Sequence, residues 1–199
     1  MDSLPHAHSF NEIRLCLMVR LCSACGKGPF EIQGEPVAPS QSGPVRVEAR
    51  CKACNACHDF DFICDPLPHD EQGQCLTINP KPQPSRIVDL GQWLSLSDLM
   101  MIESRKAASP AEARLAACQA ALCLQEALKF YAPHEQLPPP GAFFHSDVPY
   151  HAAPEQFAQD HLRDLLARLP SPGPSMPPPA SASPPRRAWW QFWKPKPTV

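Results

Sequence analysis

Closely spaced cysteines are the residues of this chain whose types and spacing could do chemistry. Cys22 and Cys25 form one Cys-x-x-Cys pair, and Cys51, Cys54 and Cys57 follow one another at steps of three residues. A two-residue gap lets both thiolates of a pair reach one tetrahedral Zn²⁺, and structural zinc sites commonly use two such pairs. The sequence therefore predicts one Zn²⁺ site, with Cys22 and Cys25 as its first two ligands.

The residues around the later cysteines favour Cys51 and Cys54 as the second pair of ligands. An alternating segment, "VRVEAR", leads directly into Cys51, and Asn55 follows Cys54 just as Gly26 follows Cys25. A turn of this kind needs a residue with positive φ, which Gly adopts freely and Asn adopts more readily than most other residues. We therefore predict Cys22, Cys25, Cys51 and Cys54 as the metal ligands.

An internal symmetry of the sequence favours Cys54 with Cys57 instead. The offsets from Cys57 to Phe62 and Cys64 equal the offsets from Cys25 to Phe30 and Ile32. Cys57 and His58 are therefore kept as reserve ligands. The remaining cysteines are not predicted to bind metal, because Cys16, Cys64, Cys118 and Cys123 fall on apolar faces of predicted elements and Cys75 lies in a predicted linker.

Four thiolate ligands predict a structural zinc site and a protein that is not an enzyme. A catalytic zinc ion usually has three protein ligands and one position for water, and four thiolates leave no such position. A thiol oxidoreductase is the enzymatic alternative, but its Cys-x-x-Cys pair would begin a helix, whereas Cys22 follows one. His145, Asp147 and His151 lack the spacing of a metal site and are interpreted as surface or hydrogen-bonded residues.

Composition and patterning predict an α+β fold with a disordered end. A capping box at Ser9 and Glu12 begins an N-terminal helix, and three alternating segments then predict a small three-stranded zinc ribbon within residues 1–65. Residues 66–86 are predicted to be a proline-containing surface linker. Residues 87–169 have helical periodicity, with Trp93 and Leu122 expected in the core, an extended aromatic arm at 138–150, and a segment "CLQEALKFYAP" similar to a tetratricopeptide helix.

Residues 170–199 are predicted to be a disordered tail, since ten of the 27 prolines lie between Pro170 and Pro197. The tail ends in an aromatic and basic cluster, Trp189, Trp190, Phe192 and Trp193 beside four cationic residues. Such a cluster would suit peripheral contact with an anionic membrane or docking into a partner. Residues 1–21 have no secretory signal pattern, and cytoplasmic location is the expectation.

The succession of these motifs resembles a family of uncharacterised bacterial zinc-ribbon proteins. The resemblance rests on "CSACGKGPFEI", "RCKACNACHDFDF", "RIVDLGQWLSLSDLM", "CLQEALKFY" and "AFFHSDVPY", and it covers about residues 1–170. It implies that Cys22, Cys25, Cys51 and Cys54 are the ligands, with Asn55 in place of the family's Gly. It implies no known reaction.

The charge balance of the ribbon indicates whether its partner is a nucleic acid or a protein. Residues 20–64 contain five basic and five acidic residues, so the ribbon lacks the cationic surplus that dominates binding to phosphates. We therefore expect a zinc-binding adaptor that contacts another protein. The alternative is a zinc ribbon that binds nucleic acid, if Arg46, Arg50 and Lys52 lie together on one face.

Overall fold

The computed structural model describes residues 4–34, 42–66 and 78–171. Within these residues the chain forms β1 (His6–Ala7), α1 (Phe10–Val19), β2 (Phe30–Ile32), β3 (Gly43–Cys51), β4 (Cys57–Cys64), α2 (Leu90–Lys106), α3 (Pro110–Leu128), α4 (Val148–Ala152) and α5 (Gln159–Ala167). The predicted α+β class is confirmed. Cys75, most of the predicted linker and the aromatic cluster from Trp189 to Trp193 lie outside the described residues.

The sheet has four strands in the order β1-β4-β3-β2, and the expectation of three strands was wrong. The antiparallel strands β2, β3 and β4 are the three predicted from alternation. The additional strand is β1, which pairs in parallel with β4 through His6 and Ala7 opposite Ile63 and Cys64. Two residues are too few to show an alternating pattern, so this strand has no sequence signal of its own.

The two faces of the sheet separate apolar from charged side chains. Strand register places Val45 opposite Phe62 and Val47 opposite Phe60, and these residues belong to the core or pack against it. On the other face, Arg46 lies opposite Asp61 and Glu48 opposite Asp59. Apolar and charged side chains therefore alternate along the strands as the sequence predicted. Helix α1 contacts the sheet at β2.

Three helices begin at side-chain caps. Ser9 Oγ accepts a hydrogen bond from the Glu12 N–H at 3.1 Å, and Ser109 Oγ accepts one from the Glu112 N–H at 3.2 Å. The Glu12 carboxylate accepts a hydrogen bond from the N–H of His8, the residue before the cap, at 2.5 Å. The Glu112 carboxylate likewise accepts one from the N–H of Ala108, the residue before Ser109. The full reciprocal capping box is found in α2, between Asp89 and Gln92.

Helices α2 and α3 form an antiparallel hairpin joined by residues 107–109. Two hydrogen bonds connect the helices, from Ser97 Oγ to the Ala120 carbonyl (3.2 Å) and from Ser104 Oγ to the Ala113 carbonyl (2.8 Å). The α2 side of the interface is bulky, with Trp93, Leu96 and Met100 fully buried, and the α3 side consists largely of buried Ala and Cys residues. Trp93 is buried as predicted, whereas Leu122 is only half-buried.

The segment after α3 folds back as short helical turns. The arm predicted to be extended contains a 3₁₀ helix at Pro140–Ala142 and the beginning of α4, and the last predicted helix is divided into a 3₁₀ helix at Pro154–Phe157 and α5. Phe157 is buried, its ring contacts those of Phe143 and Tyr150, and its carbonyl accepts a hydrogen bond from the Tyr131 hydroxyl at 2.5 Å.

Contacts of α1 connect the sheet with the helical hairpin. Cys16 Sγ donates a hydrogen bond to the Ile87 carbonyl at 3.3 Å, and Ser9 Oγ donates one to the Ile78 carbonyl. Ile78, Asn79 and Ser85, from the second half of the predicted linker, are buried. One cluster of buried side chains therefore extends from the sheet through α1 to α2 and α3. Among the described residues, no helix is long and apolar enough to span a bilayer.

Candidate metal centre

Two turns with the same hydrogen bonds carry the four cysteines predicted as ligands. In the first turn, the Gly26 N–H donates to the Cys22 carbonyl (2.8 Å) and the Cys22 N–H donates to the Lys27 carbonyl (2.6 Å). In the second turn, the Asn55 N–H donates to the Cys51 carbonyl (2.8 Å) and the Cys51 N–H donates to the Ala56 carbonyl (2.9 Å). Gly26 and Asn55 occupy equivalent positions, with φ of 67° and 61°. Asn55 thus takes the left-handed conformation expected of it.

The pairing of β2 with β3 places the two turns side by side. Phe30 lies opposite Cys51, and the Lys52 N–H donates to the Pro29 carbonyl at 2.9 Å. The chain before β2 passes so close to the end of α1 that a Cβ atom on Gly28 would lie 2.7 Å from the Arg20 carbonyl oxygen. Gly28 therefore permits the close approach that sets the first turn beside the second.

The four sulfur atoms converge on one point. The Sγ atoms of Cys22 and Cys54 lie 3.8 Å apart, those of Cys25 and Cys51 also lie 3.8 Å apart, and all four lie within 4.8 Å of one another. Zn–S bonds of about 2.3 Å in a tetrahedron would separate sulfurs by about 3.8 Å. The donor set and its spacing therefore fit a tetrahedral thiolate-bound ion such as Zn²⁺.

Backbone N–H groups of the second turn favour a thiolate at Cys51. Burial alone would raise the pKa of Cys51, but hydrogen bonds from the Cys54 and Ala53 N–H groups and contacts with neighbouring thiols lower it to about 7. A hydrogen bond from the Ala56 N–H acts to lower the pKa of Cys54. The side-chain hydrogen bond between Cys54 and Cys25 outweighs this effect, together with burial and the hydrogen bonds to Cys51 and Cys22, and the pKa of Cys54 rises to about 12. Neighbouring thiolates repel one another, so these cysteines do not all ionise readily in the absence of a cation. A bound divalent cation would offset the repulsion and stabilise all four thiolates.

The two reserve ligands lie on opposite faces of β4. Cys57 is exposed opposite Arg50 and is not among the converging cysteines. His58 lies on the inner face, where its ring contacts Phe30 edge-on at 5.2 Å and its Nε2 is 3.4 Å from Cys22 Sγ. His58 can therefore donate an N–H to a cysteine sulfur, a contact that orients and tunes a metal ligand.

The other cysteines have the buried environments predicted for them. Cys16, Cys64, Cys118 and Cys123 are buried. Burial raises the pKa of Cys16 to about 11 and, together with the nearby Asp65 and Glu12 carboxylates, raises that of Cys64 to about 11. The Cys16 and Cys64 thiols are therefore protonated and unreactive near neutral pH.

His145, Asp147 and His151 do not form a cluster of three. His151 Nε2 lies 3.2 Å from Asp147 Oδ2 in an exposed pair. His145 instead contacts the start of α2, where its N–H donates to Asp89 Oδ2 at 2.9 Å. The interpretation of these residues as surface or hydrogen-bonded groups agrees with these contacts.

Comparison of the chain with protein-family models, with curated proteins and with solved structures finds no match. The resemblance to a zinc-ribbon family, which rests on motifs alone, therefore receives no support from the comparisons. The geometry of the four converging cysteines supports a metal centre.

Proposed function

We propose that this chain is a non-enzymatic zinc-binding protein in which Cys22, Cys25, Cys51 and Cys54 hold one structural Zn²⁺. The supporting observation is the convergence of their four sulfurs within 4.8 Å on two turns of matching backbone geometry. Four protein ligands complete a tetrahedral coordination shell, so such an ion has no position for a substrate or a reactive water. Its contribution is to folding rather than to a reaction.

The described geometry suggests what the metal would hold together. The first turn follows α1, and the second turn joins β3 to β4. A metal bridging the two turns would fix α1 against the sheet and would add folding free energy that a small sheet lacks by itself. The residues of this chain would supply the thiolates, the backbone N–H groups that stabilise them and the His58 N–H beside Cys22.

The ligand assignment is tested by a matched pair of substitutions. Cys51→Ser should lower the zinc content by one ion per chain relative to the unchanged protein and lower the stability of the ribbon, because it deletes one of four converging sulfurs. Cys57→Ser should keep the zinc content of the unchanged protein, because the Cys57 side chain lies on the opposite face of β4. Zinc content of the purified proteins by atomic emission, together with thermal unfolding, measures both effects. Retention of zinc by Cys51→Ser with loss from Cys57→Ser would overturn the assignment.

We further propose that the partner is a protein rather than a nucleic acid. The exposed face of the sheet interleaves charges of both signs: Arg46 forms an ion pair with Asp61 (2.7 Å), Glu48 lies opposite Asp59, and Arg50 lies opposite Glu31. Such an arrangement offers phosphates no continuous cationic surface. Binding of labelled single-stranded and double-stranded oligonucleotides, measured by fluorescence anisotropy at low and high salt, should be negligible. Tight binding that weakens steeply with salt would favour the nucleic-acid alternative.

Capture from the native host would test the adaptor role. The zinc-loaded chain and Cys57→Ser are expected to retain the same protein, and Cys51→Ser is expected to lose it because the folded ribbon is needed for presentation. Equal capture by all three baits would indicate that the ribbon is not the interaction module.

A further inference from the structure

His6, His8 and Asp65 form a second group of potential metal ligands at the β1 edge of the sheet. One ligand atom from each side chain lies within 4.8 Å of those of the other two. His6 Nε2 lies 3.3 Å from Asp65 Oδ1, and His8 Nδ1 lies 3.5 Å from Asp65 Oδ2. This group shares no residue with the four cysteines.

The parallel pairing of β1 with β4 creates the group. His6 lies opposite Ile63, Ala7 lies opposite Cys64, and the Asp65 N–H donates to the Ala7 carbonyl at 3.0 Å. Because side chains alternate along a strand, His6 and His8 project from the same face of β1. The register brings Asp65, the residue directly after β4, beside them. The sequence signal would have been the His-x-His spacing, which is uninformative without knowledge of β1.

The donor types and distances suit a divalent transition-metal ion. Zinc bonds of about 2.0–2.2 Å to imidazole nitrogen and carboxylate oxygen would place tetrahedral ligand atoms about 3.4 Å apart. The distances of 3.3 and 3.5 Å join the two imidazoles to different oxygens of Asp65, and one ligand atom from each of the three residues lies within 4.8 Å of the other two, so a small adjustment would bring the three donors to that spacing. We propose that His6, His8 and Asp65 bind a second metal ion of the Zn²⁺ or Co²⁺ type.

Asp65 already attracts a cation. Lys81 Nζ lies 2.5 Å from Asp65 Oδ2, and Ser42 Oγ donates to Asp65 Oδ1 at 3.0 Å. The Lys81 side chain is 45% exposed, so its ammonium can move into water when a metal ion takes its place. Lys81 is therefore a competitor of the metal, and its removal should strengthen metal binding.

The three side chains of the group differ in their exposure to solvent. The His8 and Asp65 side chains are only 6% and 14% exposed, while His6 is 29% exposed and is the most accessible of the three. Three protein ligands would leave a tetrahedral ion one position for water or an external ligand. The ion would also bind β1 to β4, because its ligands come from both strands.

Cobalt is the probe that separates the two centres. The full chain, with its cysteine site loaded with Zn²⁺, is titrated with Co²⁺ and followed by visible absorption and by metal analysis after gel filtration. We expect one bound Co²⁺ with ligand-field bands but without thiolate-to-cobalt charge-transfer bands, since nitrogen and oxygen are its ligands. His6→Ala should lose this cobalt and retain the cysteine-bound zinc.

Two further variants make the result decisive. Lys81→Met should bind Co²⁺ about 5-fold more tightly, the effect of removing one competing ion pair. His151→Ala disrupts an exposed His–Asp pair that has no third ligand within the described part of the chain, and this variant should bind Co²⁺ like the unchanged chain. The proposal is overturned if neither the unchanged chain nor Lys81→Met takes up Co²⁺, if His6→Ala still binds it, or if the bound Co²⁺ shows thiolate charge-transfer bands.

Discussion

A single backbone conformation at Asn55 underlies the choice of the second cysteine pair. Asn55 has φ 61°, and the corresponding residue in the first turn, Gly26, has φ 67°. Left-handed φ is unfavourable for residues with a Cβ, and it is most unfavourable for β-branched ones. The carbonyl and N–H groups of Cys51 can make the bonds of the turn only if the residue after Cys54 tolerates this conformation.

Substitutions at this position should follow backbone preference rather than side-chain size. Asn55→Val should lower the free energy of unfolding by about 1–2 kcal/mol, whereas Asn55→Gly should change it by less than about 0.5 kcal/mol. Gly26→Asn is the reciprocal control: a Cβ at Gly26 would meet no atom within 4 Å, and positive φ strains Asn less than it strains Val, so this variant should lose less stability than Asn55→Val. Urea unfolding of the zinc-loaded proteins measures all three. Equal stability of Asn55→Val and Asn55→Gly would contradict the role assigned to φ.

Strand parity explains why Cys57 is not beside the other sulfurs. Phe60 and Phe62 lie on the apolar face, and Cys57 differs from them in parity, so alternation alone places its side chain on the exposed face. The symmetry of offsets that favoured Cys57 ignored this constraint. His58 has the parity of Phe60, and its place beside Cys22 follows from the same rule.

At the scale of elements, helix starts are the features that the sequence predicts best. Ser9 caps α1 as expected, and Ser109 caps α3 in the same way. Such a cap can be predicted because it involves only a side-chain oxygen and the N–H group three residues later in the chain. The strand β1 and the division of the last predicted helix depend on contacts with distant residues, and no local pattern encodes them. Periodicity also placed Leu122 in the core, whereas this residue is only half-buried.

The buried face of α3 can be tested with two leucines on the same helix. Leu124 is 2% exposed, whereas Leu122 is half-buried. Leu124→Ala should destabilise the protein by about 2–5 kcal/mol, and Leu122→Ala by roughly half as much, because it leaves a smaller cavity. Trp93→Ala, at a fully buried site on α2, should cost about 3–5 kcal/mol. Chemical unfolding gives the values, and a larger loss at Leu122 than at Leu124 would reverse the assignment of the buried face.

At the scale of the whole molecule, a buried polar network joins α1, the segment 78–86 and α3. Lys129 Nζ on the α3 side donates to the Asn79 and Lys81 carbonyls and to Glu126 Oε1. Glu12 on α1 accepts hydrogen bonds from Ser85 and from the His8 N–H, but its buried Oε1 has no hydrogen-bond partner among the residues that the structure describes. No sequence pattern predicts this network, because its members come from three segments that are far apart in the chain.

Glu12 makes the stability of this junction depend on pH. Burial, with Glu126 nearby, raises its pKa to about 7 from an ordinary value of 4.5, and the hydrogen bonds from Ser85 and His8 and the charge of Lys129 only partly oppose this rise. The folded protein therefore binds this proton more tightly than the unfolded chain does. The resulting stabilisation is complete below pH 4.5 and is lost as the pH rises through 7.

Glu12→Gln should remove this dependence while it preserves the shape of the side chain and its acceptor oxygen. The difference between the two pKa values corresponds to about 3 kcal/mol, of which about 1 kcal/mol falls between about pH 6 and about pH 8.5. Over that interval the unchanged protein should lose about 1 kcal/mol more unfolding free energy than Glu12→Gln, in urea titrations at constant ionic strength. Glu155→Gln, at an exposed site, is the matched control and should follow the unchanged protein. Parallel curves for all three proteins would show that Glu12 is ionised in the folded state at neutral pH and that its charge is compensated by Lys129 and the hydrogen bonds around it.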